Sequence, residues 1–263
     1  MKLVTDGKEV HCHFERPEQF LRKDGDHKNK IYKIFNYDNA RPSNIMVRGK
    51  PFLILDDVMQ YFGVFLCYLA DHSELIENII LTGSNSYGLH SVYIVHEGRR
   101  RPIYIDDYIL CHETGPIFSQ PIKDTDMWPC LLEKAWFKYK SSLKGGIDKI
   151  NPIELFRTFL MFPMKPVYLD GSKEYNHKLV KKHLVQPFLN HPNGGTIVTS
   201  KNVPEHKIGL SGRKHYYLMR IFDIDGTTYY YLRNPCGNFD FRGNLQLKDI
   251  PQQLLDRIIK LTG

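Results

Sequence analysis

One twenty-residue segment, HYYLMRIFDIDGTTYYYLRN (215–234), constrains the fold more than any other part of the chain. Its arms are rich in aromatic and β-branched residues, and they flank Asp225-Gly226, a pair that favours a two-residue type I′ turn. The register set by such a turn places His215 opposite Cys236. Asn234 then lies diagonally across from His215 on the same face, about 7–8 Å away at the backbone. The sequence therefore predicts an antiparallel hairpin that brings an imidazole beside a side-chain amide.

The rest of the chain mixes helical and strand patterns. A second hairpin is predicted over residues 91–107, with its turn at Glu97-Gly98. Asn151 and Pro152 are typical of a helix start, and Ser73 is a candidate cap for another helix. Helical patterns occur at 51–70, 72–80, 128–143, 151–162, 173–191 and 250–261. The expected class is α+β, with an irregular segment over 1–40, a helical subdomain over 41–148 and a β-rich subdomain over 149–263.

The composition restricts where the protein is expected to work. No run of 18 apolar residues is present, and the N-terminus lacks the apolar core of a secretory signal. Five cysteines, an odd number without a repeated spacing, suit reduced thiols better than a disulfide framework. An intracellular protein, cytoplasmic or cytoskeletal and not secreted, is the expectation.

The chain carries a formal charge of +7, with basic clusters at residues 97–102 and 178–183. A basic surface suits a protein partner with an acidic surface. Nucleic acid is not the expected partner, because no aromatic-interleaved binding motif accompanies the charge. The run His11-Cys12-His13 lacks a second ligand pair at zinc spacing, so we predict no metal site and no cofactor.

Four stretches, at residues 41–45, 103–110, 126–146 and 209–244, resemble segments that occur in the same order along the core of the calpain cysteine proteases. The segment 209–244 resembles its second half, where a histidine stands in a G-H-A-Y step and an asparagine in R-N-P-W-G. Residues 103–110, IYIDDYIL, resemble the V-x-I-D-D-x-L-P strand of the family. Residues 126–146 resemble its F-W-x-x-L-L-E-K-A-Y-A-K helix and the following Gly-Gly, and RPSNI (41–45) resembles R-P-x-E. The resemblance, which spans about residues 40–245, implies a papain-like fold with two subdomains around a cleft.

The same resemblance assigns roles to individual residues. His215 matches the catalytic base, and Asn234 matches the residue that orients it. The nucleophile of calpains lies in D-x-x-Q-G-x-L-G-D-C-W, in which the glutamine stabilises the oxyanion. Gln60 matches that glutamine, because Asp57-Val58-Met59-Gln60 reads as D-x-x-Q.

No cysteine of this chain coincides with the nucleophile position of the family. Counting forward from Gln60 puts that position at Leu66, so that Cys67 takes the place of the family tryptophan. Counting backward from the 72–80 helix puts it near Gln60. Apolar residues flank Cys67, and such surroundings make a thiol unreactive.

Two further departures concern the second half of the chain. Cys236 replaces the tryptophan that shields the histidine–asparagine pair in the family. Asn238 stands where a calcium-binding acid is expected, although Asp240 lies near one such position. The calcium dependence of calpains is therefore not predicted for this chain.

These features predict a catalytically inactive calpain-like domain, a pseudoprotease that acts as a structural or protein-binding module. A larger cytoskeletal or organellar assembly is the expected setting. One alternative is an active intracellular cysteine endopeptidase that uses Cys67 with His215 and Asn234. Another is a regulatory module that still binds extended peptides in the vestigial cleft.

Overall fold

The computed structural model describes residues 2–5, 8–20, 56–81, 87–112, 115–116, 119, 127–142, 150–168, 196–200, 214–233, 235, 244–248 and 255–261. The helices in these ranges are α1 (Pro17–Phe20), α2 (Asp56–Asp71), α3 (Glu74–Ile79), α4 (Trp128–Ser142) and α5 (Pro152–Leu160). The strands are β1 (Lys2–Thr5), β2 (Lys8–His11), β3 (His13–Glu15), β4 (Leu89–His96), β5 (Arg99–Asp106), β6 (Ile109–His112), β7 (Gly115–Pro116), β8 (Met164–Tyr168), β9 (Thr196–Ser200), β10 (His215–Ile224), β11 (Thr227–Arg233), β12 (Asn244–Lys248) and β13 (Leu255–Leu261).

Helices and antiparallel sheets together make the α+β class that the sequence predicts. Among the described strands, six form one sheet in the order β12-β11-β10-β9-β13-β8, and every neighbouring pair is antiparallel. Strands β4 and β5 form a separate hairpin, and β3, β6 and β7 form a small third sheet. The buried apolar side chains of α2, α4 and α5 belong to one core cluster that also includes Ile197 and Tyr217 of the six-stranded sheet.

Local signals explain where two of the helices begin and end. The side chain of Asn151 accepts a hydrogen bond from the Ile153 amide at 3.0 Å, and Pro152 occupies the first position of α5. Helix α5 ends at Met161, whose backbone is left-handed with φ 61°. Helix α4 begins at Trp128, with Pro129 in its first turn. Both helices confirm the sequence prediction.

Helix α3 also forms where it is predicted, but Ser73 does not cap it as expected. The Ser73 backbone is helical, and its side chain makes no capping hydrogen bond. Because the chain enters α3 directly after a turn that follows α2, Ser73 lacks the extended backbone that presents a cap oxygen to the helix.

The prediction of a helix over 250–261 is wrong. Residues 255–261 form strand β13, which is paired on both sides, with β8 and with β9. The apolar spacing of this segment fits a helix, but two neighbouring strands satisfy its backbone in the extended form, and tertiary context overrides such local preference. The helix predicted over 173–191 lies outside the described residues.

The N-terminal residues are more ordered than the sequence indicates. Residues 2–15, which the pattern left irregular, form three short strands, and β3 pairs with β6. Arg16 donates two hydrogen bonds of 3.0 Å to the buried carboxylate of Asp107. Gly88 makes room for that carboxylate, because a Cβ atom at this position would collide with it. This ion pair fixes the N-terminal segment to the chain that follows β5.

The hairpin of β10 and β11 confirms the predicted turn but corrects the predicted register. Asp225 and Gly226 have φ of 48° and 72°, as a type I′ turn requires. From Ile224 back to Arg220, the residues pair as a two-residue turn at 225–226 requires, and Arg220 pairs with Tyr231. The register then shifts by one residue, so that Leu218 pairs with Leu232.

That shift changes which residues share a face of the hairpin. The turn alone would pair Tyr217 with position 234, whereas Tyr217 pairs with Arg233. A β-bulge places an extra residue on one strand, and a one-residue shift reverses which side chains share a face. The register that placed His215 opposite Cys236 therefore fails beyond the bulge. Asn234 and Cys236 lie outside the described residues.

The predicted subdomain boundaries, near residues 40 and 148, also lie outside the described residues.

Within the described ranges, no helix is both long and apolar enough to cross a lipid bilayer.

Candidate active site

His215 lies at the point where helix α2 packs on the six-stranded sheet. It is the first residue of β10, and its side chain is only 8% exposed. Strand β9 pairs His215 directly with Thr199, and directly opposed residues of antiparallel strands project to the same face. The Thr199 Oγ1 atom lies 2.9 Å from Nδ1 of the imidazole. This hydrogen bond fixes the orientation of the ring.

The aromatic ring of Tyr61, on α2, stacks on this imidazole. The two ring centroids are 3.8 Å apart, and the ring planes differ by 20°. The tyrosine is half-buried, so its ring covers one face of a nearly buried histidine. Position 61 is therefore a point at which helix α2 meets the candidate base.

Gln60, the predicted oxyanion residue, immediately precedes Tyr61 on α2. Asn234, the predicted orienting residue, immediately follows the last residue of β11 and lies outside the described residues. Thr199 is the partner of His215 that the sequence analysis missed. TIVTS is recognisable as a strand, but fourteen residues separate it from β10, and no two-residue turn fixes the pairing of β9 with β10.

Cys67 lies on a different side of α2 from Tyr61. Six residues along a helix correspond to roughly 9 Å of rise and a rotation that leaves the side chains about 120° apart. The Cys67 side chain is completely buried. Burial raises the pKa of its thiol to about 11, although the charge of Arg233 and a hydrogen bond from it act in the opposite direction.

A polar cluster surrounds this thiol, and we call it the arginine cluster: Cys67, Tyr217 and Arg233, which are buried, and Asp71, which is exposed at its edge. Arg233 is 3% exposed and lies opposite Tyr217 in the hairpin. The Tyr217 hydroxyl is hydrogen-bonded to Asp71. Burial raises the pKa of the Asp71 carboxyl, and the Tyr217 hydrogen bond and the nearby positive charges oppose that rise. The cluster thus joins the C-terminal half of α2 to the hairpin.

The described cysteines and acidic residues indicate no metal centre. Within the described residues, Cys12, Cys67, Cys111 and Cys130 are buried and form no disulfide bond. In the part of the chain that the structure describes, no three His, Cys, Asp or Glu side chains are grouped as metal ligands. Asn238 and Asp240, the positions considered for calcium, lie outside that part.

The geometry separates two requirements of thiol-dependent acyl transfer. The candidate base, His215, is buried, and the Thr199 hydroxyl orients its ring. A nucleophile must lie within hydrogen-bond reach of its base. The cysteine on α2, Cys67, faces Arg233 instead. On the described part of α2, the side chain that stacks on the imidazole is a phenol.

Comparisons with known proteins agree with this arrangement of helix and sheet. A family model described as calpain family cysteine protease matches residues 26–250. The calpain-type cysteine protease DEK1 of Zea mays is 25% identical over 190 residues, which cover 68% of this chain and 8% of that protein. The calpain-type cysteine protease ADL1 of Oryza sativa subsp. japonica is 24% identical over 210 residues, which cover 75% of this chain and 9% of that protein.

The chain thus spans less than a tenth of the length of these two relatives. The family match extends from ahead of α2 to the six-stranded sheet and includes both His215 and the helix that carries Tyr61. The chain belongs to the calpain family of cysteine proteases.

Proposed function

We propose that this calpain-like domain is catalytically inactive and acts as a structural or protein-binding module. The observation that carries the proposal is the stacking of Tyr61 on His215, with ring centroids 3.8 Å apart. The α2 side chain that meets the imidazole is therefore a phenol. It lies against the face of the ring, whereas a catalytic thiol would have to lie within hydrogen-bond reach of a ring nitrogen. Phenols are far weaker nucleophiles than thiolates at neutral pH, because they stay protonated.

The state of Cys67 supports the same proposal. A thiol with a pKa of about 11 is ionised in roughly one molecule in ten thousand at neutral pH. The thiolate is the reacting species in cysteine chemistry, and a completely buried sulfur is closed to a polypeptide substrate. An acyl-enzyme forms only when a thiolate lies beside the base. Among the described residues, the α2 thiol, Cys67, is instead buried and protonated.

The proposed setting is an intracellular assembly, cytoskeletal or organellar, in which the domain contributes a surface. The much greater length of the two plant relatives supports a domain that works as part of something larger. The basic charge of the chain supports a partner with an acidic surface.

The alternative function is an active intracellular cysteine endopeptidase that uses Cys67, His215 and Asn234. Membership of a protease family favours it, because both relatives are calpain-type cysteine proteases by name. This alternative requires α2 to turn, so that the Cys67 sulfur leaves the arginine cluster and reaches the imidazole.

A thiol-directed epoxide separates the two functions. Such a probe alkylates a cysteine that is accessible and ionised beside a histidine. We expect no labelling of Cys67 in the folded protein, as measured by mass spectrometry of tryptic peptides. Labelling after unfolding, by iodoacetamide, is the positive control for detection of the Cys67 peptide.

A defined pattern of labelling would overturn the proposal. The wild type would have to be labelled at Cys67, and His215→Ala would have to abolish that labelling. Labelling that persists in His215→Ala indicates a cysteine exposed by local opening, and leaves the domain without a catalytic pair.

A further inference from the structure

The tip of the β4–β5 hairpin carries three consecutive arginines on the surface. All residues from Arg99 to Pro102 are exposed, and Tyr104 is 59% exposed. Side chains alternate between the faces of a strand, so Arg99 and Arg101 project to one face, and Arg100 and Tyr104 to the other. We call these four residues the arginine hairpin surface.

Arg100 is held in place by its neighbours. Its guanidinium lies over the ring of Tyr93, 4.2 Å from the centroid, and donates a hydrogen bond to the backbone carbonyl of Asn78. These contacts tie the hairpin to the end of α3. The contacts hold in place the strand that also carries Arg99 and Arg101, and a preorganised backbone loses less entropy when a partner binds.

The charge on Arg99 and Arg101 is not neutralised within the described part of the chain. No carboxylate there lies within ion-pair distance of either guanidinium. Other cations of the fold are paired: Lys134 with Asp106, Lys140 with Glu154 at 2.9 Å, and Arg16 with Asp107 at 3.0 Å. Within the described residues, the hairpin tip therefore exposes two positive charges, close together on one strand, that no carboxylate pairs with.

We propose that the arginine hairpin surface binds an extended acidic segment of a partner protein. This inference rests on the proposed function, since it places the partner surface of a non-catalytic domain. Arg99 and Arg101 lie two residues apart on one strand, about 7 Å, the spacing of alternate side chains in an extended peptide. Two carboxylates at alternate positions of such a segment would each meet one guanidinium, which binds carboxylates in a bidentate manner.

The ring contacts favour a polypeptide over RNA as the ligand. Single-stranded RNA binding combines backbone phosphate contacts with open aromatic rings on which bases stack. The Tyr93 ring is already covered by Arg100, and Tyr104 projects to the face opposite Arg99 and Arg101. Arginine is also among the residue types that anchor protein interfaces.

The test uses the full chain and a fluorescein-labelled octapeptide with glutamate at alternate positions. Binding is measured by fluorescence anisotropy at roughly physiological ionic strength. We expect Arg99→Gln/Arg101→Gln to weaken binding about tenfold, because two charge-assisted contacts are lost. The exposed positions should leave the thermal unfolding midpoint within a few degrees of the wild type.

A matched variant separates a local site from general charge. Arg157→Gln/Lys165→Gln removes two positive charges from exposed positions elsewhere, and we expect it to bind the peptide nearly as the wild type does. Equal losses in the two double variants would overturn the proposal, as would a wild type that does not bind the peptide. It also fails if a single-stranded RNA depends on Arg99 and Arg101 more strongly than the peptide does. None of these outcomes bears on Cys67 labelling, which tests the proposed function separately.

Discussion

Two sides of helix α2 face the same sheet with different chemistry. One side presents Tyr61, whose half-buried ring stacks on His215. The other presents Cys67, completely buried beside Arg233. The side that holds the histidine lacks a thiol, and the side that holds the thiol lacks a histidine. The comparison shows that a base and a sulfur on neighbouring elements do not make a catalytic pair unless the helix presents both to one point.

The largest effect is expected from Tyr61→Cys. This change removes the ring that stacks on the imidazole and places a thiol next to His215. A protonated histidine lowers the pKa of a neighbouring thiol. We expect the new cysteine to react with iodoacetamide at neutral pH at least about a hundredfold faster than Cys67. Quenched labelling followed by tandem mass spectrometry, which assigns the label to position 61 or 67 within their common tryptic peptide, gives both rates in one sample.

The controls for this variant test the geometry of the helix. Leu66→Cys puts a thiol at the position that counting forward from Gln60 selects, and its burial predicts slow labelling. Tyr61→Cys/His215→Ala should lose most of the gain. A fast Leu66→Cys, or a Tyr61→Cys rate that does not depend on His215, would show that position 61 does not face the base.

The second effect concerns the other side of the helix. Arg233→Met removes a buried guanidinium and leaves Asp71 and the Cys67 thiol without its charge. Loss of a buried hydrogen-bonding group that leaves its partner unsatisfied costs about 1–3 kcal/mol. We expect the free energy of unfolding, measured in urea, to fall by about that amount.

A matched control lies on the partner strand of the same hairpin. Arg220 is exposed, and its charge also lowers the pKa of Asp71. Arg220→Met should change stability by less than about 0.5 kcal/mol, as surface changes generally do. Equal losses in the two variants would mean that the arginine cluster has no special role in holding α2 to the hairpin.

Local signals explain how much of this fold the sequence predicts. Asn151-Pro152 predicts the start of α5, and Asp225-Gly226 and Glu97-Gly98 predict two turns, because each signal acts within a few residues. Glu97 and Gly98 have φ of 51° and 71°, the left-handed pair that a two-residue hairpin requires. The family resemblance adds the histidine and the order of the elements.

The remaining features depend on contacts between distant segments. The bulge near Met219 changes the register of the hairpin without any glycine or proline to mark it. Strand β13 exists because β8 and β9 flank it, and no pattern within residues 250–261 encodes those neighbours. The residue of α2 that meets His215 could not be chosen by counting, because the forward and backward counts selected Leu66 and Gln60. Tyr61, which contacts His215, is next to Gln60 and five residues from Leu66. The backward count from α3 therefore lies closer to the contacting residue than the forward count does.

A third prediction uses pH to sharpen the contrast between the two sides. The pKa of Cys67 rises from its ordinary value of 9.0 to about 11 in the folded protein. A thiol whose pKa is higher in the folded than in the unfolded chain stabilises the folded protein at a pH below the unfolded-state pKa. This stabilisation is lost as the pH rises from the unfolded-state pKa through the folded-state pKa. Between about pH 9 and 11, Cys67 should therefore contribute a loss of about 2–3 kcal/mol of unfolding free energy.

Cys67→Ala removes that contribution while leaving the tyrosines in place. Its stability should be lower at pH 8 because of the cavity, yet it should fall less steeply than the wild type from pH 9 to 11. Urea unfolding at several pH values gives both slopes. Parallel slopes would indicate that the Cys67 thiol ionises equally easily in the folded and unfolded chains, which contradicts its burial beside the arginine cluster.

The smallest effect is expected at the hydroxyl that orients the base. Thr199→Val keeps the shape of the side chain but removes the group that lies 2.9 Å from Nδ1 of His215. A typical hydrogen bond contributes about 0.5–1.5 kcal/mol, so we expect a loss of about 1 kcal/mol in urea unfolding. Thr196→Val, a buried position on the same strand, is the matched control. In a double-mutant cycle the loss at Thr199 should disappear in His215→Ala, because the hydroxyl then has no ring to orient. A loss that persists without the imidazole would assign Thr199 to the packing of β9.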